Sequence, residues 1–259
     1  MPDRCPDAYV TLAHDLADAA GGIVRSYFRQ SYDIVTKPDS TPVTEADRAA
    51  EQAMRAILEE REHDHGIFGE EFGTVRADAE YVWYLDPIDG TKAFIAGVPV
   101  FGTLIGLARH GRPVLGVIDQ AVSGERWSGG AGHPSMLNEA PATCRSGVDL
   151  PNAVLFTTSP DAYEGGDLDA LDRLRNEVGL MRYGTDCYAF GLVAAGHADI
   201  AIECGVNDYD YCALVPIVES AGGVMTNWEG APVTLGTDTR VIACGSAELH
   251  SAAISRLMR

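Results

Sequence analysis

Apolar residues recur at spacings of three and four near the start of the chain. Ala13, Leu16, Ala17, Ala20, Val24, Tyr27 and Phe28 share one face, which predicts an amphipathic helix over 7–28. The same period returns after Thr44, where Ala50, Met54, Ile57 and Leu58 predict a second helix. Between the two, Lys37-Pro38-Asp39-Ser40-Thr41-Pro42 predicts a loop or irregular ribbon over 31–43. Continuous apolar runs then replace the helical period. GIFG at 66–69 and YVWYL at 81–85 predict buried strands. TLIGLARHGRPVLGVID reads as a hairpin turning at His110-Gly111-Arg112-Pro113, and ERWSG at 125–129 adds a strand. From 130 to 150, Gly, Pro and Ser predict a loop or domain junction.

The second half alternates. AVLFTTS and ADIAIE predict strands, as does RVIACGS. LDALDRLRNEV, CYAFGLVAAG and ALVPIVESAGG predict helices, with Pro216 either kinking the last or marking a late start. Strands interleaved with helices, plus a hairpin-rich stretch, imply mixed α/β layers. No internal repeat or low-complexity tract interrupts them.

Composition narrows the function. A length of 259 residues allows one large domain or two intimately packed ones. The formal charge of −19 repels phosphate backbones and anionic lipid, which argues against nucleic-acid and membrane partners. No apolar run is long enough for a membrane span, and MPDRCPDAYV lacks the features of a signal peptide. Six scattered cysteines without a CxxC pair read as reduced thiols of a cytoplasmic protein. Glu62-His63-Asp64-His65 is expected to be an exposed turn.

The chemistry concentrates in WYLDPIDGTKAFIAG, 83–97, where Asp86 and Asp89 end an apolar run and Gly90-Thr91 follow. Two such carboxylates repel unless a cation lies between them, and all-oxygen ligands favour Mg2+ or Mn2+. Helix capping is equally open to this string alone. Other acids stand at similar places: Glu70 and Glu71 in GEEFG, Asp47 at a capping-box spacing from Thr44, and Asp210 ahead of a helix. Four acidic loci, each at an element end, exceed what capping requires.

GEEFG, WYLDPIDGTKAF and YDYCALVPIVESAGG resemble the three signature blocks of the inositol monophosphatase family, and the likeness covers nearly the whole chain. VTKPDSTPVTEADRAAE, RYGTDCYAFGLVAAG and YDYCALVP are most similar to its histidinol-phosphate phosphatase branch. One departure is Tyr209, where the family commonly has Trp before the aspartate. The resemblance implies an αβαβα sandwich, with an N-terminal metal-binding part (1–140) and a C-terminal substrate-shaping part (141–259). It implies two or three Mg2+ ions, or Mn2+ in substitution, on Glu70, Asp86, Asp89, Asp210 and the Ile88 carbonyl. It places phosphate on the backbone of Gly90 and Thr91, and gives Asp47 and the Thr91 hydroxyl the attacking water. Arg182, Asp186 and Glu203 are the expected substrate contacts. The implied activity is hydrolysis of histidinol phosphate in histidine biosynthesis by direct attack of water. The alternative is an inositol-1-phosphate or broad sugar-phosphate phosphatase. A homodimer is also implied.

Overall fold

The computed structural model describes residues 4–30, 34–36 and 42–258. Helices α1 (Asp7–Tyr27) and α2 (Glu45–Arg61) form where the apolar period places them. Thr44 begins α2 through a capping box: its side chain accepts from Ala46 N–H, while Asp47 accepts from Thr44 N–H. Between the helices, β1 (Ile34–Thr36) pairs antiparallel with β2 (Pro42–Thr44), giving the expected ribbon; 37–41 lie outside the described residues.

The first sheet has eight strands: β3 (Gly66–Gly69), β4 (Gly73–Val75), β5 (Tyr81–Asp89), β6 (Gly102–Arg109), β7 (Arg112–Gln120), β8 (Glu125–Gly130), β9 (His133–Leu137) and β10 (Ala140–Pro141). Their spatial order is β10-β9-β8-β7-β6-β5-β3-β4, with only β3 and β5 running parallel. The β6–β7 turn is His110-Gly111, with φ of 49° and 73°, the left-handed pair a two-residue hairpin requires. Strands β9 and β10 correct the loop expected over 130–150. β10 pairs only with Leu137 and Met136, so Pro134 sits on an unpaired stretch of edge that tolerates a missing N–H.

The second sheet has order β12-β11-β13-β15-β14. Its strands are β11 (Val154–Thr157), β12 (Leu180–Tyr183), β13 (Ile200–Cys204), β14 (Val224–Asn227) and β15 (Arg240–Cys244). The remaining helices are α3 (Thr91–Ile95), α4 (Gly165–Arg175), α5 (Tyr188–Ala194), α6 (Asp208–Tyr211), α7 (Leu214–Ser220) and α8 (Ala247–Leu257). Pro216 is the third residue of α7, where the N–H has no helical partner in any case. It marks a late start, not a kink.

Helices α1 and α2 cover one face of the large sheet, α5 and α7 fill the space between the sheets, and α4 and α8 cover the far face of the small one. Apolar clusters around Leu16 and Trp83, around Trp127 and Phe190, and around Leu155 and Leu171 hold these five layers together, with a smaller one around Tyr84 and Cys212. The architecture is αβαβα. Among the described residues no helix is long and apolar enough to cross a membrane, and all six cysteines are free and buried. His65 departs from the expected exposed turn. It is buried, accepts the Trp83 indole N–H at 3.1 Å and stacks on Tyr81.

Candidate active site

The carboxyl ends of parallel strands β3 and β5 lie side by side, and Glu70 N–H donates to Leu85 C=O at 3.1 Å. In an unbroken strand, residues three apart face opposite sides. Here Asp86 pairs with Leu104 but Asp89 with Gly102, so β5 carries one extra residue between them. That bulge returns Asp89 to the side of Asp86. Pro87, with no N–H to lose, fits the bulge, and the Thr103 hydroxyl donates to its carbonyl at 2.8 Å.

Asp210 reaches the same point from α6, on the other sheet's side. One carboxylate oxygen from each of Asp86, Asp89 and Asp210 lies within 4.8 Å of the others. Together with Glu70 they line one cleft of about 260 Å³, with Ile88, Gly90 and Thr91. Burial, followed by the charges of Glu70, Asp89 and Asp210, holds Asp86 well above the usual carboxylate range. Burial and Asp210 push Asp89 to about 7. Asp210 also rises to about 7, chiefly by burial. Buried acids that repel one another this closely fit divalent cations, and hard oxygen donors fit Mg2+ or Mn2+.

Capping and cation binding are compatible here, because a carboxylate has two oxygens. Asp47 accepts Thr44 N–H at 2.8 Å, Asp86 accepts Ile88 N–H at 2.9 Å, Asp89 accepts Cys187 N–H at 2.6 Å, and Asp210 accepts Asn207 N–H at 2.7 Å. Each uses one oxygen for the backbone and keeps a second. On Asp47 that second atom, Oδ1, is buried and has no partner. Burial raises the Asp47 pKa, and the nearby Glu70 charge adds to it. Asp47 does not itself line the cleft, whereas Thr91 does, and its hydroxyl donates to Ile88 C=O at 3.1 Å.

A second cavity of about 190 Å³ adjoins the first and shares Asp89, Thr158, Asp186 and Asp210 with it. Glu203 forms part of its wall. One oxygen of Glu203 accepts both the N–H and the hydroxyl of Thr158, at 2.7 and 2.8 Å. Burial raises Glu203 to about 8. Asp186 is pushed to about 7 by burial and by Asp89, against the pull of Lys92. Its φ of 44° is left-handed. Asp186 does not cap α5, whose N-cap position is Cys187.

Arg182 is the expected contact that the fold does not bring in. It is exposed on edge strand β12 and lines neither cavity. Thr158 and Asn207 line the cleft without being singled out as site residues, and so does Lys92, which lies within the WYLDPIDGTKAF block. Thr158 could have been found from its place just beyond the end of a strand in TTSP.

The family model for the inositol monophosphatase family matches residues 6–259. The chain belongs to the inositol monophosphatase family. It is 44% identical to the bifunctional phosphatase IMPL2, chloroplastic, of Arabidopsis thaliana, over 99% of this chain and 77% of that protein. It is 38% identical to a histidinol-phosphatase of Chlorobaculum parvum, over 85% of each. Among solved structures, an inositol monophosphatase from Zymomonas mobilis superposes with a TM-score of 0.90 at 45% identity, covering 98% of both chains. Proteins of this family are metal-dependent phosphatases, and the chain is a phosphatase of that kind. Tyr209 keeps an aromatic ring beside Asp210, 6.0 Å from the Phe68 ring.

Proposed function

We propose that the protein hydrolyses histidinol phosphate to histidinol and phosphate. The observation that carries this reading is a pair of acids, buried Glu203 and partly buried Asp186, in one cavity beside the carboxylate cluster. Burying a carboxylate is costly unless a cation or donor meets it; Thr157 and Thr158 already donate to Glu203, so the demand for a cation falls chiefly on Asp186. Histidinol phosphate brings an ammonium and an imidazole to that cavity, whereas an inositol phosphate brings only hydroxyls. The histidinol-phosphatase relative supports the same substrate.

Two or three Mg2+ ions (or Mn2+), held by Glu70, Asp86, Asp89, Asp210 and the Ile88 carbonyl, would lower the pKa of a water and neutralise charge on the phosphate. The chain's own groups do the rest. Asp47, set behind the cleft wall beside Glu70, takes the proton of a water that enters between them, and the Thr91 hydroxyl orients that water. N–H groups of Gly90 and Thr91 donate to the phosphate oxygens. Asp186 and Glu203 hold the organic part, so that water attacks phosphorus in line and no phospho-enzyme forms. A cytoplasmic homodimer in histidine biosynthesis belongs to the same reading.

A second reading, an inositol-1-phosphate or broad sugar-phosphate phosphatase, is favoured by the likeness to the Zymomonas mobilis protein. Phosphate release from histidinol phosphate, inositol 1-phosphate and a hexose phosphate, each with and without Mg2+, separates the two. The proposal expects Mg2+-dependent turnover with the highest kcat/KM on histidinol phosphate. Equal or better turnover of inositol 1-phosphate rejects it.

A further inference from the structure

Asp47, Glu51 and Arg55 follow one another at intervals of four along α2, and so share one face of the helix. Asp47 belongs to the catalytic machinery; the other two have no part in it so far. Glu51 is fully buried. Its Oε2 accepts the N–H of Glu71 at 2.7 Å, and its Oε1 accepts the N–H of Phe72 at 3.2 Å and Arg55 Nε–H at 2.7 Å. Arg55 in turn donates through Nη2 to the carbonyl of Gly73. Two side chains of one helix therefore grip three consecutive backbone groups just after Glu70.

The backbone on either side is held by the Gly69–Gly73 strand pairing and by Glu70 N–H donating to Leu85 C=O, and the clamp adds side-chain restraint to the turn between them. Strand β4, which the turn leads into, is exposed along its whole length, and Phe72 is half exposed. Gly69, directly before Glu70, presents a bare Cα to the Glu51–Arg55 pair. A Cβ there would stand 2.7 Å from Arg55 Nη2 and would collide with the Glu51 carboxylate. The clamp and the glycine thus fit each other. Because Arg55 and two N–H groups satisfy Glu51, its charge is answered locally and leaves the cation cluster undisturbed.

We infer that Glu51 and Arg55 are positioning residues that fix the Glu70 carboxylate relative to Asp47, with α2 as the rigid spacer. This rests on the reading of Glu70 as a metal ligand. Groups that orient metal ligands typically change affinity by about 10- to 100-fold when removed. A role in folding alone would lower the unfolding temperature and leave metal affinity where it was.

The test is titration of metal-free protein with Mn2+, following free ion by electron paramagnetic resonance, alongside circular dichroism of each variant. Wild type, Glu70→Gln, Glu51→Gln, Arg55→Ala and Arg55→Lys are compared. The inference expects Glu51→Gln and Arg55→Ala to weaken the Glu70-dependent site by about tenfold or more, with Arg55→Lys intermediate. If Glu70→Gln weakens binding while the clamp variants bind within about twofold of wild type, Glu70 remains a ligand and the positioning role is overturned. If Glu70→Gln itself leaves binding unchanged, the ligand reading fails and this inference falls with it. Should Glu51→Gln not fold, Arg55→Ala decides alone, since its side chain is partly exposed and lies at the rim of the clamp.

Discussion

The Asp186 side chain rests on the bare Cα of Gly90, so close that a Cβ added there would stand 2.9 Å from its carboxyl carbon. Gly90 also has φ of 88°. Both facts oppose any side chain at this position. Gly90→Ala is expected to cost about 1–2 kcal/mol from the left-handed backbone alone, and to displace Asp186 as well. Denaturant unfolding should register the first effect. Steady-state kinetics should register the second as a loss of at least about tenfold in kcat/KM. Wild-type kinetics in Gly90→Ala would show that this contact has no part in substrate handling.

Asp186 itself should govern discrimination. Asp186→Ala puts alanine on a left-handed backbone with φ of 44°, so a loss of about 1 kcal/mol is expected and unfolding is measured alongside the kinetics. The ratio of histidinol phosphate to inositol 1-phosphate kcat/KM should fall by about tenfold or more, the value of one charge-assisted hydrogen bond. An unchanged ratio contradicts the substrate assignment while leaving the phosphatase activity untouched.

Asp47→Asn separates the two duties of one side chain. The amide oxygen can still accept Thr44 N–H, so α2 should start as before and the protein should fold with little change in its unfolding temperature. The proton acceptor is lost, and kcat should fall by about 10²–10⁴. Rapid-quench and steady-state assays at saturating Mg2+ would measure this. A variant retaining more than half of the wild-type rate would assign the proton elsewhere.

The acid cluster predicts a pH-dependent response to metal. Asp89 and Asp210 are raised in the folded protein from 3.8 to about 7. The native state therefore holds protons that the unfolded chain releases. The resulting stability is complete below 3.8, the value for the unfolded chain, and is lost as pH rises through about 7. Mg2+ binds the ionised forms. The rise in unfolding temperature on adding Mg2+ should accordingly be small near about pH 5 and largest near about pH 8. Scanning calorimetry across that range checks it, and a Mg2+ effect that shrinks with pH would refute it.

Legibility in the sequence followed how local each feature is. Helices α1 and α2 were readable because their apolar period and the Thr44–Asp47 box are set within a few residues. Strand β12 was missed because it is a four-residue edge with little burial, hence no alternation to read. β9 hid behind Gly and Pro that an edge tolerates. Among site residues, Asp186 and Glu203 reach the cavity but Arg182 does not. Arg182 and Asp186 are near neighbours in sequence, but Arg182 lies exposed on the sheet edge while Asp186, in the turn beyond it, packs against Gly90. The Glu51–Arg55 clamp was visible only as an i, i+4 charge pair, the most common reason for which is a solvated helix face.

The amino-acid sequence by itself determined which carboxylates are present and that each stands at the end of an element, because caps and strand ends are specified by neighbours in the chain. Tertiary structure alone decided that these acids face one another. The β5 bulge, the parallel pairing of β3 with β5, and the approach of α6 from the second sheet aim the side chains, and all three depend on hydrogen-bond register between segments distant in sequence. Register reflects which faces two packed layers can bury together, and no local spacing encodes it.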